Sequence, residues 1–154
     1  MTESVWDYPR PPRVEPSNEH VVVSHAGVGV ADTTASLRVL ETSHPPTYYL
    51  PVSAFAPGVL RPGDGASWCE WKGQAVYYDL VVGDDVLRAV AWTYPAPSTG
   101  FEALVDHVAL YPGRVDGCTV DGEAVQPQPG SFYGGWITSR VTGPFKGAPG
   151  TAGW

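Results

Sequence analysis

The sequence predicts a mainly β, single compact domain built around an antiparallel meander, with one or two short helices, and two observations carry that prediction. Eighteen glycines and 16 prolines in 154 residues, with only 16% charged residues, suit short strands joined by turns rather than surface helices rich in Glu and Lys. Three apolar-rich runs, Ser67 to Lys72, Ala75 to Val82 and Val86 to Thr93, are separated by Gly73-Gln74 and Gly83-Asp84-Asp85, which suit tight hairpin turns. A chain of this length buries about 70% of its unfolded surface, so it needs neither a metal nor a disulfide to fold.

Residues 1–18 are polar and proline-rich, and read as an extended N-terminal arm held by Trp6 and Tyr8. His20 to Thr33 reads as two strands around a turn at Ala26-Gly27. Ser36 to Thr42, SLRVLET, is expected as a short helix capped by Thr33 or Thr34 and stopped by Pro45-Pro46. Thr47 to Val52 is aromatic and β-branched enough for a strand, and Ala56 to Gly65 reads as a loop. After the meander, Phe101 to His107 is expected as one amphipathic helix, then Val108 to Tyr111 and Cys118 to Val120 as short strands. The core β domain spans 19–125. Beyond it, residues 126–154 form a glycine-rich tail whose Phe132, Tyr133, Trp136, Phe145 and Trp154 follow no period, so it must pack by its aromatics. In that tail Gly143 to Gly147 either places Lys146 over an anion or is packed glycine-rich chain.

Hairpin register assigns the faces of the meander. A two-residue loop at Gly73-Gln74 pairs Glu70 with Tyr77, Trp68 with Asp79, Cys69 with Tyr78 and Trp71 with Val76. Cys69, Trp71, Val76, Tyr78 and Leu80 then form the core face, and Trp68, Glu70, Lys72, Tyr77 and Asp79 the polar one. A loop at Gly83-Asp84 pairs Asp79 with Arg88 and Leu80 with Leu87, whereas a three-residue loop would bury the charges. The polar face is either the solvated side of a half-buried sheet or a ligand face. In the second case Glu70 is a general acid or base, Lys72 or Arg88 holds an anionic group, and Trp68 stacks. A second candidate is Glu41 to Tyr49, where two prolines fix a loop that presents His44, Tyr48 and Tyr49, as a recognition element or as a rigid connector.

Composition removes several functions. Nine basic against 16 acidic residues give a net charge of -7, the wrong sign for counterion release from nucleic acid. The N-terminus has neither a basic start nor an apolar run, so no signal peptide is expected, and no segment reaches the about 18 apolar residues that span a bilayer. Cys69 and Cys118 are then expected as reduced thiols in a cytoplasmic protein. Cys69 is read as a buried thiol on the core face, or as a nucleophile if His44 or His107 reaches it. His20, His25, His44 and His107 share no ligand spacing, so no metal and no cofactor is expected.

The motif Cys69-Glu70-Trp71-Lys72-Gly73, followed by Tyr77-Tyr78-Asp79 and Trp92-Thr93-Tyr94-Pro95, resembles the family catalogued as domain of unknown function 427. Leu40 to Pro51, LETSHPPTYYLP, and the stretches HVALYPGRVD and VDGE look like the same family, so the likeness runs from about His20 to Glu123. The flanks ESVWDYPRPPR and GPFKGAPGTAGW look like those of a longer, actinobacterial-type subgroup. The resemblance implies a β-tent-like arrangement of two sheets meeting at an angle, and no reaction. The nucleotidyltransferase label sometimes attached to the family needs carboxylates placed for two ions. Asp84-Asp85 falls in a predicted turn and Asp116 and Asp121 are split by a predicted strand.

The leading expectation is a small polar or anionic ligand bound in an aromatic cleft between the meander and the His44 to Tyr49 loop, with turnover left open. Glu70, Lys72 and Tyr78 are the candidate chemical groups; His44, Tyr48, Trp68, Tyr77, Arg88, Trp92 and Tyr94 are the candidate contacts. The alternatives are a non-catalytic protein-interaction module and a nucleotide-handling enzyme. A homodimer is compatible with either. WDYPRP at Trp6 and WTYPAP at Trp92 share one local grammar, and both are expected to act as aromatic clips, with Trp92 and Tyr94 on one strand face.

Overall fold

Alternating apolar residues and frequent turns give a chain of short strands, in a computed structural model that describes residues 2–130 and 133–154. The first strands are β1 (Glu3–Ser4), β2 (Arg13–Ser17), β3 (Val21–His25), β4 (Val28–Thr33), β5 (Ser36–Leu40) and β6 (Thr47–Pro51). The meander is β7 (Leu60–Cys69), β8 (Gly73–Val82) and β9 (Asp85–Thr93). There follow β10 (His107–Leu110), β11 (Gly117–Val120), β12 (Glu123–Ala124), β13 (Gln126–Pro127), β14 (Trp136–Ile137) and β15 (Val141–Thr142). The helical segments among the described residues are three-residue 3-10 turns.

A seven-stranded sheet runs in the order β2-β5-β6-β10-β9-β8-β7, and a four-stranded one in the order β12-β11-β3-β4. Neighbours in both are antiparallel. The period of two splits the large sheet's side chains into two layers. Tyr48, Leu50, Leu80, Val82, Val108 and Leu110 join Val21, Val23 and Val30 of the small sheet and the buried Trp136 in the main core. On the other face Val39, Tyr49, Ala75, Trp92, Tyr94, Leu104 and Ala109 form a second cluster. That second face holds the cleft.

Four expectations about elements are overturned. Ser36 to Leu40 is a strand, β5, because pairing with β2 and β6 overrides the helix propensity of Leu, Arg and Glu. Both of its faces are covered, which erased the alternation that marks a half-exposed strand. Phe101 to His107 holds only the 3-10 turn Glu102–Leu104, and His107 already belongs to β10. The Ala56 to Gly65 loop is shorter than expected, since β7 begins at Leu60 and absorbs Gly63 to Gly65 as an irregularity opposite Tyr77. Arg13–Ser17, expected in the arm, is the edge strand β2.

The meander splits the register expectation in two. Leu80 does pair with Leu87 around Gly83-Asp84. Asp79, however, does not meet Arg88. A bulge puts Ala89 at φ 52, its amide donates to Asp79 Oδ1 at 2.8 Å, and Arg61 lies 3.5 Å from the same carboxylate. The Ala89 amide and Arg61 hold the Asp79 carboxyl below its ordinary range. The first hairpin turns earlier than expected, through Glu70, Trp71 and Lys72, so that Cys69 pairs with Gly73 and Trp68 with Gln74. Gly73 takes φ 105, a conformation that suits glycine at the end of a three-residue loop. The shifted turn exchanges the faces of β7 relative to β8, so that Cys69 and Trp71 join Ala75 and Tyr77 on the cleft side, while Tyr77 and Tyr78 keep the faces that the register assigned them.

Candidate functional site

A cavity of about 410 Å³ opens on the second face of the large sheet. Its walls come from the β7–β8 hairpin (Ser67 to Lys72, Ala75, Tyr77), from β6 and the loop before it (Glu41, His44, Thr47, Tyr49), from Trp92, Tyr94 and Tyr111, and from the tail (Gln128, Tyr133, Gly134, Lys146). That size and aromatic lining fit a small-molecule pocket.

The hairpin positions Lys72. Pro95 and Pro97 end β9 and turn the chain back across the hairpin base, where the Ser98 amide donates to the Lys72 carbonyl at 2.9 Å. The Lys72 Nζ stands 5.7 Å from the centre of the Tyr94 ring, within cation–π range. Burial alone would lower its pKa, but the Tyr49 phenol, the Cys69 thiol and the Glu41 carboxylate outweigh burial and hold it above the ordinary lysine value. Lys72 therefore stays an ammonium. It has no carboxylate within 4.0 Å among the described residues.

Behind Lys72 lies a phenolic wall. Trp92 Nε1 donates to the Tyr49 hydroxyl at 3.2 Å, and the Trp92 ring packs on Tyr111 at 4.7 Å. Burial raises the pKa of both Tyr49 and Tyr94, so both phenols stay protonated at neutral pH. On the opposite lip the His44 Nδ1 lies 2.9 Å from the Thr42 carbonyl, so in the neutral ring that nitrogen donates and Nε2 is left as the acceptor. Burial is the largest influence on His44 and lowers its pKa, keeping the ring neutral at pH 7. Glu41 is 3.4 Å from Arg10 and 3.9 Å from His44.

The tail closes the third side. Gln128 receives the Gly135 amide at 3.1 Å and donates to the Lys146 carbonyl at 2.8 Å, while the Lys146 amide donates to Ser43 at 2.8 Å. A side chain at Gly135 would meet Gln128 Oε1 and Pro45 at 2.5 Å, so the tail can lie this close only as glycine. The Lys146 Nζ sits 5.9 Å from the centre of the Tyr133 ring and donates to the Trp154 carbonyl at 3.0 Å. Phe132, expected to pack here, lies outside the described residues.

Of the residues expected from sequence, the cleft brings together His44, Trp68, Glu70, Lys72, Tyr77, Trp92 and Tyr94. Glu70 is exposed at the hairpin tip and Trp68 is 75% exposed. Three expected residues are elsewhere. Tyr78 packs on the main core, the face that strand alternation had assigned it, and Tyr77 takes the cleft side. Tyr48 is 1% exposed in the same core, its hydroxyl donating to Glu19 at 2.8 Å, because β6 turns Tyr49 to the cleft instead. Arg88 is exposed on β9 and lines no part of the cavity. Cys69, expected buried on the core face, borders the cleft half-buried, whereas Cys118 is the buried thiol and burial pushes its pKa up to about 12. Sequence reasoning missed Trp71 and Tyr111 as cleft residues. It also left Lys146 undecided, although the scarcity of lysine was a usable signal.

The profile of the family described as Domain of unknown function (DUF427) matches residues 13–121. No curated protein matches the chain. Gln128, Tyr133, Gly134 and Lys146 lie beyond the matched stretch, so the third wall of the cleft is added by the tail.

Proposed function

The chain belongs to the DUF427 family, and from that premise and the chemistry of the cleft we propose that it binds a small organic anion between Lys72 and Lys146. One observation carries the reading. A chain of net charge -7 has two lysines, and both line the same aromatic cavity. A half-buried ammonium without a carboxylate partner carries a desolvation cost that a bound anion offsets. Of the acids nearby, Glu41 is engaged by Arg10 and Glu70 faces solvent. The Tyr49 and Tyr94 hydroxyls and the His44 Nε2 acceptor supply the polar contacts that orient such a molecule.

The proposal is one of binding, and it takes Lys72 as the anchor rather than as an acid or base. The nucleotide-handling alternative needs a set of ion-holding carboxylates. Among the described residues no three His, Cys, Asp or Glu side chains come together as a metal site. A phosphate remains within the class of anion that the lysines would accept. The interaction-module reading is favoured by the exposed Trp68, and it requires that indole but not the lysines.

A thermal-shift panel of organic acids, phosphates and their neutral amides, run at low ionic strength, tests the proposal. At least one acid should raise Tm, and Lys72→Gln and Lys146→Gln should each reduce that rise. A response to the neutral compounds alone, or an acid response indifferent to both substitutions, would sink it.

A further inference from the structure

We infer that the anion is a planar ring compound, an aromatic or heteroaromatic acid, whose ring stacks on Trp68 and Trp71 while its acidic group meets the lysines. The inference rests on the anion-binding reading above and adds the shape of the ligand. It comes from an imbalance among the tryptophans. Trp6 meets Trp154 at 5.1 Å, Trp92 meets Tyr111 at 4.7 Å, and Trp136 meets Tyr48 at 5.0 Å. Of the six tryptophans, Trp68 and Trp71 alone show neither a ring partner nor an indole hydrogen bond among the described residues. Both border the cleft, one on each side of Glu70.

Trp71 is half-buried against the Tyr49 and Trp92 cluster and Trp68 is 75% exposed, so two indoles without ring partners stand at the mouth of the pocket with faces open to a ligand. Flat aromatic faces gain most from another flat ring in offset or edge contact, whereas a puckered ring meets the same faces with fewer close atoms. Glu70, exposed between the two indoles, repels an acid group from the hairpin tip. The ring therefore takes the tip and the acid takes the interior, where Lys72 and the phenols lie. A cavity of about 410 Å³ accepts a two-ring acid.

Three probes of one skeleton separate shape from charge: 2-naphthoate, 2-naphthamide and decahydro-2-naphthoate, titrated by calorimetry into the full chain at low salt. Stacking predicts that 2-naphthoate binds about fivefold tighter than its saturated counterpart. Trp68→Leu should erase that difference and Lys72→Gln should weaken both acids alike. Trp68 is 75% exposed, so its replacement leaves the fold intact, which unchanged circular dichroism would verify. Equal binding of the two acids would overturn the planar-ring inference and leave the anion reading standing. Equal binding of 2-naphthoate and 2-naphthamide would overturn the anion reading, and failure of all three to bind would overturn both.

Discussion

His44 shows how a single side chain ties stability to pH. Burial lowers its pKa from 6.5, against the Thr42 carbonyl and Glu41, which raise it, and with Lys146 and Arg10, which lower it further. Between the folded value and the unfolded one the native state holds fewer protons, so stability is complete above about 6.5 and is lost as pH falls through that window. Urea unfolding of the native protein should give a lower midpoint at pH 5 than at pH 7.5, and His44→Gln should flatten this dependence. Identical slopes for the two proteins would refute the assignment. His44 was legible in the sequence as a polar residue in a proline-fixed loop. The choice between Tyr48 and Tyr49 was not, because adjacent strand residues point to opposite faces and only the sheet's partners say which face holds the cleft.

At the scale of the element, the β7–β9 meander carries both the success of register reasoning, at its second hairpin, and the failure, at its first. Alternation located the strands, and matching apolar with apolar gave the Leu80–Leu87 pairing of β8 with β9, although the Asp79–Arg88 match beside it does not form. The first turn was misplaced by its glycine. Gly73 does not sit inside a two-residue loop but closes a three-residue one at φ 105, tied to Ser98 through Lys72. Gly73→Ala should therefore strain the backbone and crowd Ser98 Oγ at 3.2 Å, costing about 1 kcal/mol in chemical denaturation. The same substitution should weaken anion binding, because it displaces the segment that aims Lys72. A variant of unchanged stability and affinity would show that the hairpin tip tolerates other turns.

Across the whole molecule, a network centred on Arg38 joins the terminal segments to the sheet. Arg38 is 1% exposed and lies 3.1 Å from Glu3 and 2.6 Å from Glu15. Arg140 bridges Glu3 at 3.0 Å and Glu19 at 2.9 Å, and the Tyr8 hydroxyl donates to Glu3 at 2.6 Å. Arg38→Ala should cost about 3 kcal/mol, the low end for a broken buried pair, since both of its carboxylates keep 31% of their side-chain surface exposed. Removal of residues 1–12 should cost about as much or more, because it uncovers the core around Val5 and Tyr8, which are 0% and 8% exposed. A truncated chain with an unchanged unfolding midpoint would dismiss the first clip. Trp6 holds the tail from that arm, donating to the Pro144 carbonyl at 2.9 Å and meeting Trp154 edge-on. The second clip lies as its alternation predicts, with Trp92 and Tyr94 together in the cluster behind the cleft. The sequence alone determined the β class, the family motifs, the Gly83-Asp84 hairpin and the shared face of Trp92 and Tyr94, because these follow from composition and from contacts between near neighbours. Only the tertiary structure decided that SLRVLET is a strand, which tyrosines reach the cleft, and that Lys72 and Lys146, 74 positions apart, share one cavity. Those outcomes depend on long-range pairing and burial, which no local pattern encodes.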